Sequence, residues 1–95
     1  MGKANPITEY HLTDHVRFEM TRRLINVSDI ARVLSAPEQM EIVREGRVIY
    51  QARMESGEPP KTYLYRVVVD VDRKPPEVVT VYRTSKIEKY WRAIS

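Results

Sequence analysis

The segment KTYLYRVVVDVD, residues 61–72, constrains the fold more than any other stretch of the chain. β-Branched and aromatic side chains fill it, and such side chains fit a pleated surface better than a helix. Tyr63, Tyr65, Val67, Val69 and Val71 recur at every second position. In a strand they share one face, while Arg66 and Asp70 point to the other. A chain organised around this segment carries a sheet with one apolar side.

The flanking segments supply its partners. MEIVREGRVIYQARM, residues 40–54, reads as two strands around a Glu45-Gly46 turn. ESGEPP and RKPP hold a glycine and prolines that do not fit a ladder interior, and read as loops. EVVTVYRT, residues 77–84, is the last strand. Alternation puts Val48, Tyr50, Ala52, Met54, Val79 and Val81 on the apolar face. It puts Arg47, Gln51, Arg53, Thr80, Tyr82 and Thr84 on the second face, with Arg66 and Asp70.

Ahead of the strands the period changes. TDHVRFEMTRRLI, residues 13–25, reads as a helix capped by Thr13, with Asp14 suited to the positive helix start and Val16, Met20 and Leu24 as its buried stripe. SDIARVLSAP reads as a second helix capped by Ser28, with Ile30, Val33 and Leu34 inward and Pro37 beyond its end. SKIEKYWRAI, residues 85–94, reads as a C-terminal helix with Ser85 and Glu88 at capping-box spacing. The expected fold is α+β: two N-terminal helices, a four-stranded antiparallel meander and a C-terminal helix, the helices covering one face of the sheet. Residues 1–10 are expected to be a flexible lead-in to a core spanning about residues 11–94.

Length and composition exclude several chemistries. Ninety-five residues make one domain, because two would each be too small to sustain a core. With no cysteine there is no disulfide, thiol nucleophile or cysteine-type zinc site. His11 and His15 are the only histidines, so a metal site would need carboxylate help, and no metal or other cofactor is expected. No long apolar run suggests a membrane span and no signal-peptide core opens the chain, so a cytoplasmic location is expected.

Charge is unevenly spread. Residues 1–58 hold eight basic and nine acidic side chains, whereas residues 59–95 hold eight and four. Eleven of the sixteen cations are arginine, whose planar fork suits phosphate. A sheet face mixing arginines, Tyr82 and threonines can serve as a platform for RNA, and equally it can be an ordinary solvated face. RNA cleavage by 2′-OH attack needs a base, cations for the charged phosphorane and an acid for the leaving 5′ oxygen. His15 has suitable proton chemistry. Glu19 lies one helical turn on, where it could orient the ring, and Arg22 one further turn along could meet a phosphate. A helix lying on the apolar face would keep His15 away from Arg66. The two can share a site only if the first helix sits at the edge of the sheet.

The ordered segments LTDHVRFEMTRRLI, GRVIY, YRVVVD and VVTVYRTSK resemble the domain of unknown function 4258 family over about residues 11–91. That family is grouped with RelE/ParE- and BrnT-type ribonuclease toxins. The resemblance implies a RelE-like fold and an endoribonuclease toxin of a toxin-antitoxin system, with RNA as substrate and a cognate antitoxin protein as partner. Carried onto this chain it points to His15, Arg47, Arg66, Thr80, Tyr82, Arg83 and Lys86. Catalysis would fall to His15, Arg66 and Tyr82, and phosphate binding to Arg22, Arg47, Thr80, Arg83 and Lys86. Some relatives place a histidine where this chain has Arg66, and arginine does not give up a proton near neutrality, which favours phosphate binding over acid–base work there. The alternative is a non-catalytic module that binds nucleic acid or protein through the same arginines.

Overall fold

A computed structural model describes residues 6–92. The elements run β1 (His11–Leu12), α1 (Asp14–Arg23), α2 (Val27–Ser35), β2 (Gln39–Arg44), β3 (Arg47–Ser56), β4 (Lys61–Asp70), β5 (Glu77–Thr84) and α3 (Ile87–Tyr90). They form a mixed α+β structure around one sheet of order β1-β5-β4-β3-β2. β2 to β5 pair antiparallel, as their short connections require. The sheet has five strands rather than the expected four, because His11 and Leu12 run parallel to β5 opposite Glu77 and Val78. Two residues are too few to display a strand period in sequence.

Thr13 links β1 to α1. Its hydroxyl accepts from the Val16 amide at 3.2 Å, capping the helix, and donates to the Val78 carbonyl at 3.1 Å, fixing the helix start to β5. The helix ends at Leu24, which adopts a left-handed conformation with φ 58°. Leu24 was expected in the buried stripe but is 74% exposed. The left-handed residue turns its side chain outward, and Ile25 enters the core instead. Asn26, rather than Ser28, stands at the start of α2, its amide donating to Asp29 Oδ2 at 2.9 Å. Ile30, Val33 and Leu34 are buried as their spacing predicts.

Val48, Tyr50, Ala52, Met54, Tyr65, Val67 and Val69 line the apolar face and pack with the buried side chains of α1 and α2. Tyr63 and Val71 are partly buried against this core, as are Ile7 and Tyr10 from the lead-in. One register shift corrects the alternation in β5. Val68 faces Thr80 and Val69 faces Val78, leaving Val79 as the extra residue of a bulge. Val78 and Val81 are therefore the fully buried pair, and Val79 is only half-buried. α1 packs along β5 at the outer side of the sheet, while α2 covers β3 and β4.

The C-terminal helix is one turn, Ile87–Tyr90, rather than residues 85–94; positions 93 and 94 lie outside the described residues. Lys86 stands at its start without a side-chain cap, so the expected Ser85–Glu88 box does not form. Thr84 Oγ1 instead accepts the Lys86 amide at 3.0 Å. Trp91 is extended, at φ −74° and ψ 128°. Its ring packs against the Arg53 guanidinium at 3.9 Å, and Arg92 bonds to Gln39. Both contacts draw the backbone across the second face of the sheet. Among the described residues no helix is long and apolar enough to cross a membrane.

Candidate functional site

Arg66 lies at the middle of the second face, paired across the ladder with Gln51 on β3 and Tyr82 on β5. It is only 5% exposed. Its Nε donates to Gln51 Oε1 at 2.9 Å, Nη1 to the Tyr82 hydroxyl at 2.6 Å and Nη2 to Glu41 Oε1 at 3.2 Å. Three of the five guanidinium N–H groups are thereby taken, and the charge is countered by Glu41. The guanidinium also lies 4.4 Å from the Tyr90 ring centroid, and Tyr82 and Tyr90 meet edge to face at 6.2 Å. Leu64, on the same face, is fully buried.

The middle of the second face, around Gln51, Leu64 and Arg66, is thus covered rather than solvated, while Arg53 and Glu55 on the same face stay exposed. Residues Tyr90–Arg92 form a strap across it. Gln39 Nε2 donates to the Arg92 carbonyl at 2.7 Å, and Gln39 Oε1 accepts the Arg92 amide at 3.1 Å. Gln51 Nε2 donates to Gln39 Oε1 at 2.7 Å and to the Tyr90 carbonyl at 3.3 Å. Glu41 accepts from both Arg66 and Arg92.

α1 packs against β5, and its buried Val16 and Met20 belong to the core on the apolar face. His15 is exposed and meets Glu19 at 3.5 Å. Glu19 is buried, 7% exposed, and accepts the Val81 amide at 3.5 Å on the outer side of β5. It also meets Arg23 at 3.5 Å, whose Nε is buried without a partner among the described residues. Val81 is the residue before Tyr82. A run of neighbours therefore leads from His15 through Glu19 and β5 to Tyr82 and Arg66. No direct contact joins His15 to Arg66: the ring meets Glu19, and Arg66 is occupied by Gln51, Tyr82 and Glu41.

The other arginines and hydroxyls are dispersed. Arg47 forms a two-pronged pair with Asp70 at 2.6 and 3.0 Å, which holds the Asp70 carboxyl below the usual range and raises the guanidinium's own pKa. Arg53 makes a similar pair with Glu38, whose carboxyl is also lowered by these bonds. Arg83 stands opposite Tyr65, on the face away from Arg66, and bonds to Ser56 and the Tyr65 hydroxyl. Thr80 shares Arg66's face but turns its hydroxyl to the Val79 carbonyl. Lys86 is exposed at the base of the strap, and Arg22 lies 5.7 Å from the Phe18 ring on the outer surface of α1. Gln39 and Glu41 complete the cluster and were not singled out in sequence; Tyr90, whose spacing puts it on the packing side of a C-terminal helix, joins them by packing on Arg66 and Tyr82. Gln39 begins a strand at a position whose partners come from the far end of the chain, so local spacing carries no sign of it. Among the described residues no three histidine, aspartate or glutamate side chains gather as a metal site.

Comparison with known proteins gives one match. The family model described as domain of unknown function (DUF4258) matches residues 12–83, from β1 to the end of β5. No curated protein and no solved structure matches the chain. The family match takes in α1, the β5 bulge, Arg66 and Tyr82 while leaving out the strap, and it shows that the chain belongs to the DUF4258 family.

Proposed function

We propose that the chain is a RelE/BrnT-like endoribonuclease toxin of a toxin-antitoxin system, cytoplasmic and cleaving RNA without a metal. The observation that supports this reading most is the position of Glu19, which meets His15 while anchored to the strand that carries Tyr82. His15 takes the 2′-OH proton, the 2′ oxygen attacks phosphorus, and the P–O5′ bond breaks as the 5′ oxygen takes the proton of the Tyr82 hydroxyl, leaving a 2′,3′-cyclic phosphate and a free 5′-hydroxyl; Tyr82 regains a proton from solvent and His15 gives up its own there. Arg66, which donates to the Tyr82 oxygen, stabilises the phenolate formed in that step. An acidic antitoxin is the expected silencing partner. Inducing the chain alone arrests growth, and His15→Ala relieves the arrest without changing thermal stability, because the ring is exposed. Intact cellular RNA and normal growth on induction refute the reading.

A second reading, a non-catalytic RNA- or protein-binding module, is favoured by the closure of the Arg66 cluster. Under it, binding weakens steeply with salt while RNA stays whole. Titrating labelled RNA across ionic strength and running the same samples on a denaturing gel separates the two.

A further inference from the structure

The strap is bonded to the sheet in a way that a nucleotide can reproduce. Gln39 offers one donor and one acceptor side by side, and both are used on the N–H and C=O of a single residue, Arg92. Gln51 sets the orientation of that amide by donating to its oxygen. A side-chain amide held in this way matches the adjacent donor and acceptor on the edge of a nucleobase. Beside it the Tyr90 ring lies against the Arg66 guanidinium, the place and packing a base takes when it stacks on an arginine plane. Gln39 is 9% exposed, Gln51 3% and Arg66 5%, so the three polar side chains are organised as a buried floor. The cover over them is thin by comparison. Trp91 and Tyr90 are half-buried and Arg92 is exposed.

We propose that the surface formed by Gln39, Gln51 and Arg66, uncovered when residues Tyr90–Arg92 lift away, is a subsite for one unpaired base of single-stranded RNA. The base pairs with the Gln39 amide and stacks on Arg66 as Tyr90 withdraws. Lys86 and Lys89 are exposed beside the strap and supply the charge for the phosphates on either side. This rests on the RNA reading above and adds to it a ligand element and the segment that controls access. Only the strap-open fraction binds, so weakening the strap tightens apparent affinity.

Trp91 is the only tryptophan and reports the strap directly. The probe is a single-stranded 2′-O-methyl RNA, which lacks the attacking hydroxyl and stays whole. Adding it to the unmodified chain shifts Trp91 emission to the red and opens the ring to iodide quenching, while the same RNA as a duplex does neither. Trp91→Ala, which removes the packing on Arg53, tightens single-strand binding roughly two- to fivefold, the factor expected for one exposed cation–π contact. Gln39→Ala, which removes a strap anchor and the pairing amide together, does not tighten binding as Trp91→Ala does. Bound RNA with unchanged Trp91 emission, or a Trp91→Ala affinity no tighter than the parent, overturns the inference and leaves the nuclease reading standing. Emission shifts with unmodified RNA that is never cut leave the subsite and overturn the nuclease. Gain of binding for a peptide copying residues 89–92, with none for RNA, overturns the nucleotide assignment.

Discussion

Replacing Arg66 with methionine separates what this side chain does for the fold from what it does for RNA. Methionine keeps most of the stem volume and removes the guanidinium. Three partners lose a donor: Gln51 Oε1, the Tyr82 hydroxyl and Glu41. They do not lose equally. Glu41 is 36% exposed and keeps Arg92, so water and that pair compensate it. The half-buried Tyr82 hydroxyl can turn toward solvent. Gln51 is buried and its oxygen is left without a partner, a loss of about 1–3 kcal/mol for a buried polar group. Adding a part of the Tyr82 bond gives a net destabilisation of roughly 2–3 kcal/mol, which lowers the melting temperature by about 10–20 °C in a domain of this size. Urea unfolding followed by circular dichroism measures it. The companion test is Gln51→Leu alone and combined with Arg66→Met: Gln51→Leu also removes the bonds to Gln39 and the Tyr90 carbonyl, so it destabilises by itself, but the shared Arg66–Gln51 bond is lost only once and the double mutant falls short of the summed losses by about 1 kcal/mol. A single-mutant loss below ~0.5 kcal/mol, or strict additivity in the double mutant, refutes the view that Arg66 holds the second face together. It follows that inactivity of an Arg66 variant alone does not identify a catalytic role, whereas an exposed residue such as His15 can be tested by simple truncation.

Two further perturbations test the frame around the site. Gly46→Ala in the β2–β3 turn is expected to cost about 1–2 kcal/mol, because φ is +86° and an L residue is strained there. A Cβ would also meet Asp72 Oδ2 at 2.5 Å, but that side chain is exposed and can swing away, so Asp72→Ala does not rescue the variant's melting temperature. Asp70 and Glu38 both titrate below their ordinary values because arginines bond to them. Their contribution is complete above the unfolded carboxyl range near pH ~4 and is lost as pH falls through the lower folded values. Asp70→Asn and Glu38→Gln therefore flatten the acid side of the stability–pH curve, and a wild-type slope in both variants below pH ~4 refutes this.

Strand alternation made most of the sheet readable in the sequence. Val48, Tyr50, Ala52 and Met54 face the core because period two is a property of the backbone itself. The errors fall where one residue leaves its period. Val79 is extra in β5, so Val78 replaces it in the core. Leu24 takes a left-handed turn, so Ile25 replaces it. β1 is too short to have a period at all. The site was half legible. Arg66 and Tyr82 are two strands' worth of alternation on one face, and their contact follows from the register. The strap was not legible, because Ile87, Tyr90 and Trp91 have helical spacing. What overrides that spacing is tertiary: Gln39 and Arg53, some forty to fifty positions earlier, hold Trp91 and Arg92 extended.

The two flanks of the sheet differ. Beyond β5 the backbone is taken up by β1, by Thr13 and by the Glu19 carboxylate. Beyond β2 no strand follows among the described residues, and Ile42 and Val43 are exposed there. Propagating strand addition consumes one edge and must present another, so it needs two. With the β5 flank reduced to a two-residue strand and two side-chain bonds, a neighbour that docks on β2 meets no edge of equal length on the other side. Two copies meeting edge to edge through β2 would close as a finite pair, with the Glu19 carboxylate that meets His15 lying on the far flank of each.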